Sequence, residues 1–203
     1  MSNELKKINT NLYSSIRQEL ESARQSAYKA VNFAMVQAYW QIGRLIVEDE
    51  QNGENRAEYG KKVLDGLAER LTADFGKGFD ARELRRMRQF YLLFSKWDAV
   101  RPELSWTHYR LLLRVENEDA RNWYMNESAA ENWSSRQLER QISVLYYDRM
   151  LLSADKQSTQ ADADENMALA KLEPESFIRN PYVLEFLNLK DYPNLHEKDI
   201  EEG

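Results

Sequence analysis

FDARELRRM, residues 79–87, and WSSRQLERQ, residues 133–141, spell one pattern twice. Each runs aromatic, short polar residue, any residue, Arg, Glu or Gln, Leu, any residue, Arg. The polar residue, Asp80 or Ser134, suits the N-cap of a helix, and Glu83 or Gln137 three positions on can complete a capping box. Phe79 or Trp133, just before the cap, lies where it can pack one turn in, on Leu84 or Leu138, as a hydrophobic staple. Both segments follow another helical pattern after a short turn. Helix, tight turn, pinned helix is the layout of a helix-turn-helix unit, and it is expected twice here. Capping boxes also begin many helices that bind nothing, so the pattern alone leaves a structural role open.

Outward from these two starts the chain reads as helical throughout. A first helix spans about Tyr13 to Glu50, with an apolar stripe of Ile16, Leu20, Ala23, Ala27, Ala30, Ala34, Ala38, Ile42 and Leu45 expected to be its buried face. Met35, Tyr39, Trp40 and Ile46 widen that face near its end. Gly43 costs about 1 kcal/mol relative to alanine inside a helix, which suggests a close neighbour there. A second helix covers about Asn55 to Asp74 with Val63, Leu64, Leu67 and Leu71 buried, and GKGF breaks it. Helices follow from Ala81 to about Ser95, over SWTHYRLLLRV (capped near Ser105 or Thr107), from Glu118 to Glu131, and unbroken from Ser135 to Leu152. The fold class is therefore all-α, a multi-helix domain with helix-turn-helix, winged-helix-like units. No hairpin signal predicts a wing; if one exists, the Trp97–Leu104 connection is its place.

The first of the two pinned helices carries the charge. At 100° per residue, Arg82, Arg85, Arg86 and Gln89 share one arc, with Leu84, Met87 and Tyr91 opposite. From Gly76 to Arg114 there are 9 basic and 4 acidic residues, within a chain of net charge −6. Arginines near a helix N-terminus can reach phosphates or guanine edges, as a recognition helix does. On the second, Arg136, Arg140, Ser143 and Tyr147 share a face that Glu139 dilutes. Candidate nucleic-acid contacts are thus Lys77, Arg82, Arg85, Arg86, Gln89, Arg110, Arg136 and Arg140. The cluster WTHYR, residues 106–110, could stack on bases, but Trp106, His108 and Tyr109 are read as core, as are Trp123 and Tyr124.

Composition excludes several classes. The 203 residues contain no cysteine, so thiolate metal sites, disulfides and cysteine nucleophiles are out. The two histidines, His108 and His196, form no metal-ligand spacing. The polar start MSNELKKINTN lacks a signal-peptide core, no apolar run approaches a membrane span, and a cytoplasmic protein is expected. No carboxylate pair, nucleophile constellation or small-molecule site stands out. SADKQSTQADADEN, from Ser153, reads as a linker. From Ala154 to Gly203 there are 12 acidic and 5 basic residues, which alone account for the negative charge.

LSWTHYRLLLRVENEDARNWYMNESAAENWSSRQLERQI, residues 104–142, resembles the most recognisable block of the bacterial YhcG-type (DUF1016) family. AYWQIGRLI (38–46), FGKGFDARELRRMRQFYLLF (75–94) and NPYVLEFLNL (180–189) are similar to its flanking blocks. The resemblance implies a helical N-terminal domain of winged-helix or helix-turn-helix character, followed by a PD-(D/E)xK nuclease-like domain that holds Mg²⁺. Residues 1–153 then form the helical domain, and 154–203 an acidic linker with the start of a truncated nuclease-like domain. Glu201 resembles a glutamate of that domain's first helix, but the acidic strand and the Glu-x-Lys are not matched, and the ELK at residues 4–6 lies in the leader. No catalytic residue carries over, no cofactor is expected for this chain alone, and by itself it is not expected to cut DNA. Two functions follow: a DNA-binding module of a nuclease, or a helical dimerisation or adaptor module, homodimeric through the first long helix, that assembles nuclease subunits without touching nucleic acid.

Overall fold

The computed structural model describes residues 10–52, 58–97, 100–153 and 181–187. Its elements are α1 (Thr10–Asn52), α2 (Glu58–Phe75), a 3₁₀ turn (Lys77–Phe79), α3 (Ala81–Leu93), α4 (Trp106–Leu112), α5 (Glu118–Ala130), α6 (Ser135–Ser143), α7 (Tyr146–Leu152) and α8 (Pro181–Phe186). There is no strand among the described residues, and the connection from Val100 to Leu104 is a turn. The all-α expectation holds. The linker and most of the acidic tail, with His196 and Glu201, lie outside the described residues.

The most extensive helix contact is α1 on α3. Gly43 makes it close. A Cβ built there would lie 2.7 Å from the carbonyl carbon of Met87 and closer still to its oxygen, so the approach is backbone to backbone. One turn away, the Trp40 indole N–H donates to the Phe94 carbonyl at 2.7 Å, tying α1 to the end of α3. Around this crossing Met35, Val36, Tyr39 and Trp40 from α1 meet Leu84, Met87 and Phe90 from α3, and Trp106, Tyr109 and Leu112 of α4 close the core. Aromatic rings lock edge to face: Tyr39 on Trp106 at 5.0 Å, Trp40 on Tyr91 at 5.0 Å, Phe90 on Trp106 at 5.5 Å. Burial raises the hydroxyl pKa of Tyr39 and Tyr109 well above the ordinary value.

The buried face of α1 is not the expected one. Asn32, Met35, Val36, Tyr39, Trp40, Ile46 and Val47 are buried, whereas Ile16, Leu20 and Leu45 are exposed and Ala23, Ala27, Ala30 and Ala34 face solvent. Residues that were expected to widen the face are the face itself. The alanine stripe sits one residue, about 100°, around the helix. The N-terminal half of α1, up to about Ala30, projects from the body with almost no buried side chain.

Both pinned helix starts form, unequally. At α6 the box is complete: Gln137 N–H donates to Ser134 Oγ at 3.2 Å and Ser134 N–H to Gln137 Oε1 at 2.7 Å. At α3 the Asp80 carboxylate accepts Glu83 N–H at 2.8 Å, but the Glu83 side chain turns to arginines instead of the cap. Phe79 packs edge-on against Tyr39 and Phe75. Gly76, at φ +90, makes the turn that ends α2, its N–H donating to Thr72 O. The expected long last helix is two, broken at Leu145, whose φ of +51 is left-handed. The Tyr124 hydroxyl accepts Tyr147 N–H and donates to Gln141 O, stabilising the break from a different helix.

Gly43→Ala should lower the stability read by urea unfolding by about 1–3 kcal/mol, since an added methyl must push two backbones apart. Gly66→Ala on α2, where an added Cβ meets nothing within 4 Å, should instead gain up to about 1 kcal/mol of helix propensity.

Candidate nucleic-acid interface

The first two turns of α3, α4 and the turn that follows α4 bring four arginines into one region. Glu83, largely buried, accepts Arg86 in a short ion pair and lies 3.8 Å from Arg110. Burial lowers the pKa of Arg110; Glu83 raises it, and Arg86, Arg114 and Arg82 lower it further. Glu83 thus answers Arg86 and Arg110, while Arg82 and Arg114 add positive charge near Arg110. The second Glu83 oxygen and Arg110 Nε are buried without a hydrogen-bond partner, so the compensation is incomplete within the protein. The Arg110 guanidinium also lies over the Tyr182 ring at 4.6 Å, which anchors α8 to this corner.

The eight sequence-predicted residues separate into distinct settings. Arg82 is exposed on the first turn of α3. Arg85 is exposed and paired with Asp65 at 3.1 Å, both side chains about half accessible. Such a pair contributes about 0–1 kcal/mol and can give way to a phosphate. Arg86 and Arg110 lean inward onto Glu83. Gln89 donates to the Leu113 carbonyl at 3.1 Å, holding α3 against the end of α4. Arg136 is exposed at the start of α6, and Arg140 is half-buried on the same helix. Lys77 opens the 3₁₀ turn, and its side chain lies outside what the structure describes.

Arg114 was missed. It is 65% accessible and stands 4.0 Å from Glu139 of α6, so it bridges the α3–α4 cluster to the helix of Arg136. Its signal was present in the sequence, where Arg110 and Arg114 are four apart in the expected SWTHYRLLLRV helix, although α4 itself ends at Leu112. Arg88 is not part of the exposed set, since Glu50 of α1 holds it at 2.6 Å.

The WTHYR cluster is core. Trp106 and Tyr109 are fully buried, and His108 nearly so. His108 Nδ1 accepts the Ser105 N–H at 3.2 Å and lies 2.7 Å from Ser105 Oγ, and its Nε2 lies 2.9 Å from the Trp133 carbonyl. That pattern needs a neutral ring protonated at Nε2, joining the α4 cap to the turn before α6. The Tyr109 hydroxyl accepts Arg101 N–H at 2.7 Å and donates to Arg101 O. Tyr124 is buried, and Trp123 packs against it at 5.2 Å.

A groove of about 730 Å³ between α1 and α2 is walled by Ile42, Leu45, Leu67, Leu71, Phe75 and Phe186, with Asp49 and Glu50 at its edge. It offers apolar contact, with no convergent acid–base pair. Among the described residues no group of three or more His, Cys, Asp or Glu side chains converges to hold a metal. No helix among them is long and apolar enough to cross a membrane.

An all-helical domain with paired capped helices and an arginine-rich corner is the class this architecture defines. The DUF1016 N-terminal domain matches residues 15–149, and the chain belongs to that family. It is 36% identical over 219 residues to an Escherichia coli (strain K12) protein named "Putative nuclease YhcG", covering 91% of this chain and 56% of that protein. The chain thus spans about half the length of that relative. No solved structure matches.

His108 makes the fold pH-sensitive. Burial holds its pKa below the ordinary 6.5, only partly offset by the bond to Trp133. The unfolded chain takes up a proton first, so this contribution is complete above about pH 6.5 and is lost as pH falls toward the lowered folded value. Unfolding free energy should therefore fall as pH drops below about 6.5 through His108. His108→Gln, which can accept and donate the same bonds, should flatten that slope in urea titrations.

Proposed function

We propose that this chain carries, over residues 1–153, the nucleic-acid-binding module of a YhcG-type nuclease. The observation that supports this reading best is the gathering of Arg82, Arg86, Arg110 and Arg114 at one corner, where Glu83 holds Arg86 and Arg110 and Glu139 stands 4.0 Å from the exposed Arg114. An under-compensated cationic corner in an acidic protein has no evident use in stability. Net repulsion among the arginines costs free energy that a polyanion would recover.

In this reading α2, the Gly76 turn and α3 act as a helix-turn-helix unit, with α3 as the element that meets DNA. Arg82 and Arg114 contact phosphates directly, Arg85 exchanges Asp65 for a phosphate, and Arg136 clamps the backbone from α6. Arg86 and Arg110 are positioning residues: held by Glu83, they set the field at the corner rather than reading bases. The binding is then dominated by counterion release, with each neutralised phosphate releasing about 0.9 ion. The nuclease in the relative's name supports DNA as the polyanion.

Fluorescence anisotropy with a labelled duplex tests this. Binding should weaken steeply between about 50 and 200 mM salt. The triple variant Arg82→Gln/Arg114→Gln/Arg136→Gln, at three exposed positions, should keep its helicity and thermal midpoint. Its affinity should fall at least about tenfold, and the slope of log K against log salt should shrink by about 2–3. An unchanged slope in that variant, or no salt-dependent binding by the parent chain, would overturn the assignment.

A further inference from the structure

The projecting half of α1 carries an apolar stripe that its own fold leaves uncovered. Tyr13, Ile16 and Leu20 are 51–58% accessible, and Ala23, Ala27, Ala30 and Ala34 continue the stripe on the exposed side. The spacing from Tyr13 to Ala34 alternates 3 and 4 without a break, the signature of a coiled-coil seam. With Tyr13, Leu20, Ala27 and Ala34 at a and Ile16, Ala23 and Ala30 at d, exposed Leu12 and Phe33 fall at the flanking g position. The body meets α1 from Tyr28 onward: Tyr28 and Val31 pack against the core and the Phe33 ring lies 5.9 Å from that of Trp97, so seam and core share the helix over residues 28–34 while the stripe from Tyr13 to Ala27 is left to the arm.

We infer that this arm pairs with the same arm of a second copy of the chain as a parallel, in-register coiled coil over residues 13–34. The charges choose both the partner and the direction. Glu19 lies at g and Arg24 at the following e, and both are exposed. In a parallel pair each Glu19 faces the partner's Arg24, twice by symmetry. An antiparallel pair centred on the stripe would bring the two Arg24 side chains together. Of the other two e residues, Arg17 is already engaged by Glu21 of its own helix at 2.7 Å and Val31 packs against the core. Alanines in four of the seven seam positions let the axes approach closely, at the cost of modest buried area. A dissociation constant in the micromolar range is therefore expected for about 32 Å of seam. Parallel pairing places both helical bodies, and both arginine corners, at the same end of the assembly. The inference stands independently of the nucleic-acid reading.

Sedimentation equilibrium from about 1 to 100 µM should give a monomer–dimer equilibrium. Ile16→Glu/Leu20→Glu should leave a monomer throughout, with helicity and the unfolding midpoint of the body retained, because both positions are exposed. Glu19→Lys should weaken the dimer about tenfold through its two symmetric pairs, and adding Arg24→Glu should restore it. The chain contains no cysteine, so Tyr13→Cys gives a clean orientation probe. Mild oxidation should cross-link two Cys-substituted copies, which only a parallel in-register pair brings within disulfide reach. A monomer at the top concentration, a dimer indifferent to the Ile16/Leu20 variant, or a dimer without the Tyr13→Cys cross-link would each overturn the proposal.

Discussion

The approach of Gly43 to the Met87 backbone is the contact on which the rest of the molecule is built. Helices normally keep their axes apart by the thickness of two side-chain layers. Here one layer is missing at a single point, and every neighbouring contact is set by that proximity. Trp40 can then reach the Phe94 carbonyl across 2.7 Å, which fixes the C-terminal end of α3. Tyr39, on the next position of the same turn, meets Trp106 and closes α4 over the crossing. The glycine is helix-destabilising in isolation, so its presence at this place is explained by packing, not by local propensity.

With α3 fixed at its far end, its N-terminus is where charge accumulates. Glu83 stands at the position from which a capping glutamate reaches back to the N-cap N–H. It does not do so. Asp80 still caps the Glu83 amide, but the Glu83 side chain is drawn to Arg86 and Arg110, which are themselves partly buried. Charge-assisted bonds to a desolvated guanidinium exceed a neutral cap bond by roughly a factor of two, so the carboxylate goes to the stronger partners. Gln137 in the matching position of α6 completes its box. Two nearly identical sequence patterns thus give different local structures because their surroundings differ in charge.

Much of this architecture was legible in the residues. Helix positions, the caps at Asp80, Ser105 and Ser134, the breaks at GKGF and after Glu131, and the close approach at Gly43 all have local chemical signals. So does the core role of Trp106, His108 and Tyr109. Three features were not legible. The face of α1 was assigned to its most regular stripe, yet regularity does not say which of two stripes about 100° apart the body will cover. The break at Leu145 has no glycine, proline or asparagine to announce it; the Tyr124 hydroxyl stabilises it from another helix. The inward turn of Arg86 depends on Glu83 and Arg110, residues that the helical wheel of α3 alone cannot bring together. The arginines of α3 were legible as one arc of the helix, but their division into exposed and internally held members required the tertiary fold.

The two stripes of α1 occupy different lengths of the helix, which bears on how one helix can serve two contacts. From Tyr13 to Ala34 the spacing alternates 3 and 4, a strict seven-residue repeat. Over three heptads such a repeat slides about 60° around a straight helix, so a partner can follow it only if the two helices bend gently about each other. Beyond Ala34 the stripe steps by 4 and 4, through Ala38 and Ile42, and the repeat is lost. There the core face takes over, and its residues at 35, 36, 39, 40, 43, 46 and 47 begin one residue, about 100°, around the helix from the stripe. The alanine stripe therefore serves the arm, whereas at the Gly43 crossing the side chains that meet α3 come from the neighbouring face, so one helix presents two faces to two contacts.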